Sequence, residues 1–61
     1  MKRIKGEIIT INQNYHREDM VGLTGEVYED QVGGWVSIIP LKNWQEKGYK
    51  GIFSIPENCL D

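Results

Sequence analysis

Val21-Gly22-Leu23-Thr24-Gly25-Glu26-Val27-Tyr28-Glu29 is the stretch that decides the fold. It reads as a β-strand carrying two glycines three positions apart. Glycine inside a strand marks a bulge or a close backbone approach, and the pair is expected where a sheet bends sharply toward closure.

Upstream, residues 6–12 form the expected first strand and residues 13–20 a polar loop holding Tyr15, His16, Arg17, Glu18 and Asp19. Residues 7–21 contain neither Gly nor Pro, and positions 8, 11 and 15 fit one helical face. Yet Ile8-Ile9-Thr10-Ile11 is a poor helix opening and Asn12-Gln13-Asn14 reads as a turn, so strand and loop are preferred. Downstream, Asp30-Gln31-Val32-Gly33-Gly34 is a hairpin connection into the strand Trp35-Val36-Ser37-Ile38-Ile39. Alternation puts Val36 and Ile38 on one face and Trp35 and Ile39 on the other. Both faces are largely apolar, so one of them meets something outside a small core. Pro40 caps this strand or holds it at an edge. Residues 41–50 form a wide loop, in which Asn43 followed by Glu46 has capping-box spacing and Gly48 is a stop, predicting one helical turn. A strand over residues 50–54 leads into Ile55-Pro56-Glu57-Asn58-Cys59-Leu60, a 3-10 turn entered through proline and ending on an apolar residue that returns to the core.

Composition agrees. Ala is absent, while eight Ile, four Val and six aromatic residues supply most of the apolar side chains, which is strand composition. With 61 residues the chain is a single domain of marginal stability, burying only about 60% of its unfolded surface. Cys59 has no intramolecular disulfide partner, and with His16 it makes only two good metal ligands, so no metal or other cofactor is expected and self-association is the expected staple. The net charge of −2 is split: residues 1–17 carry a local +3, residues 18–41 a local −5 with no base, and residues 42–61 balance. A split field suits a basic partner on the acidic middle or head-to-tail association. No stretch is long enough to span a bilayer and no leader pattern is visible; with a lone thiol, the expected location is the cytoplasm.

The elements Lys5-Gly6-Glu7-Ile8-Ile9-Thr10-Ile11, Val21-Gly22-Leu23-Thr24-Gly25-Glu26-Val27, Trp35-Val36-Ser37-Ile38 and Phe53-Ser54-Ile55-Pro56-Glu57-Asn58-Cys59-Leu60 together resemble an SH3-like barrel of the KOW type over residues 5–60. The resemblance implies an all-β, five-stranded SH3-like barrel with a short 3-10 turn before the last strand, in a family that binds rRNA, RNA polymerase or other proteins. KOW-type RNA contacts would flank the glycines, where this chain has Glu18, Asp19, Glu26 and Glu29, which repel phosphate. Nucleic acid is therefore not the expected partner. The chain is also similar to small SH3-like subunits that dock ferredoxin, through residues 43–47 and the closing strand, and to SH3-like dihydrofolate reductases, through residues 36–39. The reductase Gln and Tyr positions read Ser37 and Ile39 here, and no reductase activity is expected.

Chemistry is sparse. His16 beside Glu18 or Asp19 offers a general base and Cys59 a nucleophile, but the first reads as plain surface and the second as a small buried hydrophobe. No phosphate loop, zinc spacing or dinucleotide fingerprint occurs, and no enzyme is expected. Six aromatic residues exceed what so small a core encloses with the Ile and Val set. Tyr15, Trp35, Ile39, Trp44 and Tyr49 are therefore the candidate binding residues. The expected function is a non-catalytic binding or regulatory module acting through protein–protein contact or self-association. The alternative is a homo-oligomer that binds a small aromatic or nucleotide ligand at a subunit interface.

Overall fold

A computed structural model describes residues 2–61. Four strands, β1 (Ile8–Thr10), β2 (Thr24–Val27), β3 (Trp35–Pro40) and β4 (Phe53–Pro56), form one antiparallel sheet in the order β1-β2-β3-β4. Helical structure is confined to α1 (Lys42–Gln45) and to 3-10 turns at Glu18–Met20 and Glu57–Cys59. The all-β expectation holds. The sheet is not closed by a fifth strand: the second 3-10 turn occupies 57–59, and the residues after it contribute one bridge, Ile11 to Leu60. Two hydrogen bonds flank that bridge, Asn12 N–H to the Cys59 carbonyl at 2.7 Å and Asp61 N–H to the Thr10 carbonyl at 2.9 Å.

The expected first two strands are shorter than the sequence pattern suggests, because glycine turns cut into both. Val21 (φ −64°, ψ 129°) and Gly22 (φ +92°) form a type II turn closed by the Leu23 N–H on the Met20 carbonyl. Gly22 then donates to the Ile11 carbonyl while Ile11 donates to Leu23, so two residues oppose one and the strand bulges. The same pattern recurs at the other end of the ladder, where Gly6 (φ +91°) donates to Val27 and Val27 donates to Glu7. Both bulges lie three residues from the central pair Ile9 and Gly25. Gly25 serves the other purpose foreseen for it: a Cβ there would sit 2.9 Å from the Ile39 carbonyl oxygen, so β2 and β3 approach as closely as they do only around a bare backbone. The fourth strand begins at Phe53, not at 50, because Gly51 (φ +94°) turns the chain out of the extended path.

Strand parity builds the core. Ile9, Val27, Val36, Ile38 and Ile55 point inward from the four strands, and Met20, Leu23, Cys59 and Leu60 close the ends, all buried. Each such aliphatic contributes about 1.5–3 kcal/mol on burial. Pro40 is the buried last residue of β3, facing Gly25; the bond to β2 at this end comes from the next residue, Leu41 N–H to the Thr24 carbonyl at 3.0 Å, so the nitrogen of Pro40 has no donor to supply there.

One polar side chain is buried with them. Gln31, 5% exposed, accepts the Arg3 N–H on Oε1 at 2.9 Å, and its Nε2 donates to the Gly33 carbonyl at 2.8 Å and to Glu57 Oε2 at 2.6 Å. It thereby joins the N-terminal segment, the β2–β3 hairpin and the second 3-10 turn. The predicted helical turn exists as α1, but its N-cap is Leu41 and no side chain caps it. Asn43 lies inside the helix, and Gln45 reaches back instead, donating to the Pro40 carbonyl at 2.7 Å.

Candidate functional site

The outward face of the sheet is set by the same parity that fills the core. Residues pointing away from the core alternate with those inside, so the register aligns Ile8, Glu26 and Ile39 in one row across three strands, and Trp35 with Pro56 in another. Between them Ser37 pairs with Ser54, and Ser37 also accepts the Tyr28 N–H, which brings Tyr28 alongside. Trp35 is 59% exposed and Tyr28 46% exposed, while the neighbours of Trp35 on the other face, Val36 and Ile38, are fully buried. The apolar outer side of β3 foreseen from alternation is therefore present, half-covered at Ile39 and open at Trp35.

Two depressions cross this face. An open groove of about 780 Å³ runs over Tyr28, Ile39 and Leu41, with Glu26, Lys5 and Lys42 at its sides. A smaller one of about 180 Å³ lies beside Trp35, Ser37 and Ser54. Glu29 and Asp30 line both and form the ridge between them. The ion pairs among the described residues are Arg3 with Glu7 (3.1 Å) and Arg17 with Asp19 (3.0 Å); Glu26, Glu29 and Asp30 take part in neither. Asp30 Oδ1 accepts the Lys5 backbone N–H at 2.8 Å, which fixes the carboxylate without neutralising it.

The other predicted residues have a different place. Tyr15, Trp44 and Tyr49 are half-buried and pack against the core cluster. Trp44 and Tyr49 meet edge to face at 5.7 Å, and Lys47 Nζ lies 4.5 Å from the Trp44 ring. Tyr15 stacks at a tilt on the exposed His16, 4.6 Å between centroids. Only Trp35 and Ile39 of the five belong to the outer sheet face; Trp44 and Tyr49 fasten the wide loop to the body.

Asp19, beside His16 in sequence, is occupied elsewhere. Its Oδ2 accepts from Arg17 Nη2 at 3.0 Å and from the Tyr49 hydroxyl at 3.1 Å. The Arg17 hydrogen bond, helped by that of Tyr49, holds the Asp19 carboxyl below its ordinary range. The same contacts push the Arg17 guanidinium and the Tyr49 phenol up, in both cases chiefly through the hydrogen bond to Asp19. Cys59 is buried and free, packed as a small hydrophobe. Among the described residues no three His, Cys, Asp or Glu side chains converge as metal ligands, and no helix is long and apolar enough to cross a membrane.

The sequence places Tyr28 among the surplus aromatic residues and Glu29 and Asp30 in the acidic middle, but none of the three was among the candidate binding residues. Their signal was available in the parity of Val27, since the residue after an inward Val faces out, and in the acids Glu26, Glu29 and Asp30 on either side of it. Comparison with protein-family models, curated proteins and solved structures finds no match to this chain.

Proposed function

We propose that the chain is a non-catalytic binding or regulatory module, an SH3-like barrel of KOW type working in the cytoplasm through protein–protein contact on the outer face of β2, β3 and β4. The Ile11–Leu60 bridge supports the barrel reading, since it adds a fifth extended segment to the free edge of β1 after a 3-10 turn. The observation that carries the functional reading is Trp35: a large aromatic, 59% exposed, on a central strand whose opposite face is fully buried. Such a residue is costly to leave in water and is the type most often found at the centre of protein interfaces.

The test is Trp35→Ser. Its melting temperature stays near that of the parent, because the side chain is not in the core. Its sedimentation mass falls if the contact is with another copy, or its capture of the partner from extract of the native cell is abolished. Unfolding of the variant with no change of assembly at a permissive temperature would make Trp35 a core residue and remove the reading. A symmetric oligomer with a Trp-lined cleft would instead favour a small-ligand site between subunits.

A further inference from the structure

We infer that the ridge Glu29–Asp30, with Trp35 on one side and the groove over Tyr28 and Ile39 on the other, docks an extended protein segment in which an arginine and an apolar residue stand two positions apart, on the same face. This rests on the binding-module reading and names the chemistry of its partner. The depression beside Trp35 is rich in acceptors. Glu29 and Asp30 are carboxylates outside any ion pair among the described residues, Ser37 and Ser54 present hydroxyls, and the Gln31 amide at its edge already uses its donors and its acceptor internally. No basic residue lines it. A hollow with two carboxylates and no base, set against an exposed indole, selects a cation with several donors. A planar guanidinium stacks on the ring and reaches both carboxylates, which a point-charge ammonium does less well. At about 180 Å³ the hollow takes one side chain, not a folded ligand.

The second depression supplies the apolar half. It is lined by Tyr28, Ile39 and Leu41, and it shares Glu29 and Asp30 with the first. The apolar side chain two positions from the arginine in the same segment lies there while the arginine occupies the Trp35 side. The outer face carries Glu26, Glu29 and Asp30 against Lys5 and Lys42, and the side beside Trp35 has the two acids with no base, so the approach of a cation is favoured there and that of an anion opposed.

The experiment uses the full chain and a short acetylated peptide in which leucine and arginine alternate at every second position, separated by serines, with its citrulline counterpart as a neutral isostere. Titration is followed by amide and indole N–H shifts. The expected result is shifts at the Trp35 indole and at Ser37 and Ser54, with affinity about tenfold weaker for the citrulline peptide and again for Glu29→Gln/Asp30→Asn. Asn at 30 keeps the acceptor for the Lys5 N–H, so the fold is undisturbed. Binding also weakens at about 0.5 M salt. Equal binding of the citrulline peptide, or shifts centred away from Trp35, overturns the inference. If self-association is lost in Trp35→Ser but unaffected by Glu29→Gln/Asp30→Asn, the face belongs to a second copy: the arginine inference fails and the binding module stands.

Discussion

The Tyr49 hydroxyl lies 3.1 Å from Asp19 Oδ2 and 3.2 Å from the Asp19 carbonyl oxygen, tying the wide loop after β3 to the 3-10 turn thirty residues earlier. The hydrogen bond from Arg17 first, and that from Tyr49 after it, lower the Asp19 carboxyl, and the bond to Asp19 raises the Tyr49 phenol. A depressed carboxyl contributes stability above its unfolded value and loses it as pH falls through the folded one. A raised phenol contributes below its unfolded value and loses it as pH rises through the folded one. Tyr49→Phe therefore differs most from the parent at mid-range pH, and the two melting curves converge toward both extremes. A gap that stays constant between about pH 3 and about pH 11 would show that the hydroxyl contributes only packing.

Gly22 and Gly25 are sensitive for opposite reasons. Gly22 has open space around its missing Cβ but sits at φ +92°, so Gly22→Ala costs about 1–2 kcal/mol of left-handed strain. Gly25 meets the Ile39 carbonyl at 2.9 Å, and a side chain there forces β2 and β3 apart. Gly25→Val is expected to cost more than the roughly 1 kcal/mol of an ordinary strand substitution, up to about 3 kcal/mol. Urea unfolding ranks them, and an unchanged midpoint for Gly25→Val would mean that the approach is not required.

Gln31 is the most informative polar position. Gln31→Leu removes the partners of the Arg3 N–H and the Gly33 carbonyl and is expected to destabilise by about 2 kcal/mol. Gln31→Glu puts a second carboxylate against Glu57, now 2.6 Å from the amide, so its loss is largest at neutral pH and recovers as one carboxyl protonates. Equal stability of parent and Gln31→Glu at neutral pH would show that the knot opens freely.

Mixed-sequence RNA or DNA is not expected to bind at micromolar concentration near physiological salt. Phosphate binding relies on several cations on one surface, and the outer face carries the acids Glu26, Glu29 and Asp30 against Lys5 and Lys42. Fluorescence anisotropy with a labelled oligonucleotide decides it, and a micromolar affinity would reverse the assignment of this face.

The strands, the hairpin at Gly33-Gly34 and the closing 3-10 turn were legible because each rests on a short-range pattern: period two, paired glycines, proline at a turn entry. The inward and outward sides of β3 followed from the same period, which is why Trp35 and Ile39 were identified correctly as outer-face residues. Trp44 and Tyr49 were not separable from them by sequence. An aromatic in a loop looks alike whether it covers the core or meets a partner, and the difference lies in contacts with Asp19 and the core that only the fold brings near. Gln31 looked like an ordinary turn residue, since nothing local announces that Arg3 and Glu57 converge on it. The capping box at Asn43 had the right spacing but the wrong phase, because Leu41 already sits at the helix entrance.

The seam between Ile11 and Leu60 also has a kinetic meaning. Every other strand pairing joins neighbours along the chain, whereas the seam brings together Asn12 and Asp61, 49 positions apart. Closing a long loop costs entropy that grows with its length, so the sequential hairpins form first and the seam zips last. By the same ordering it is the first to open, and the amides of Asn12 and Asp61 exchange with solvent before those of Val36 and Ile38. While it is open, the edge of β1 is bare in addition to that of β4, and strand pairing between copies gains a second site.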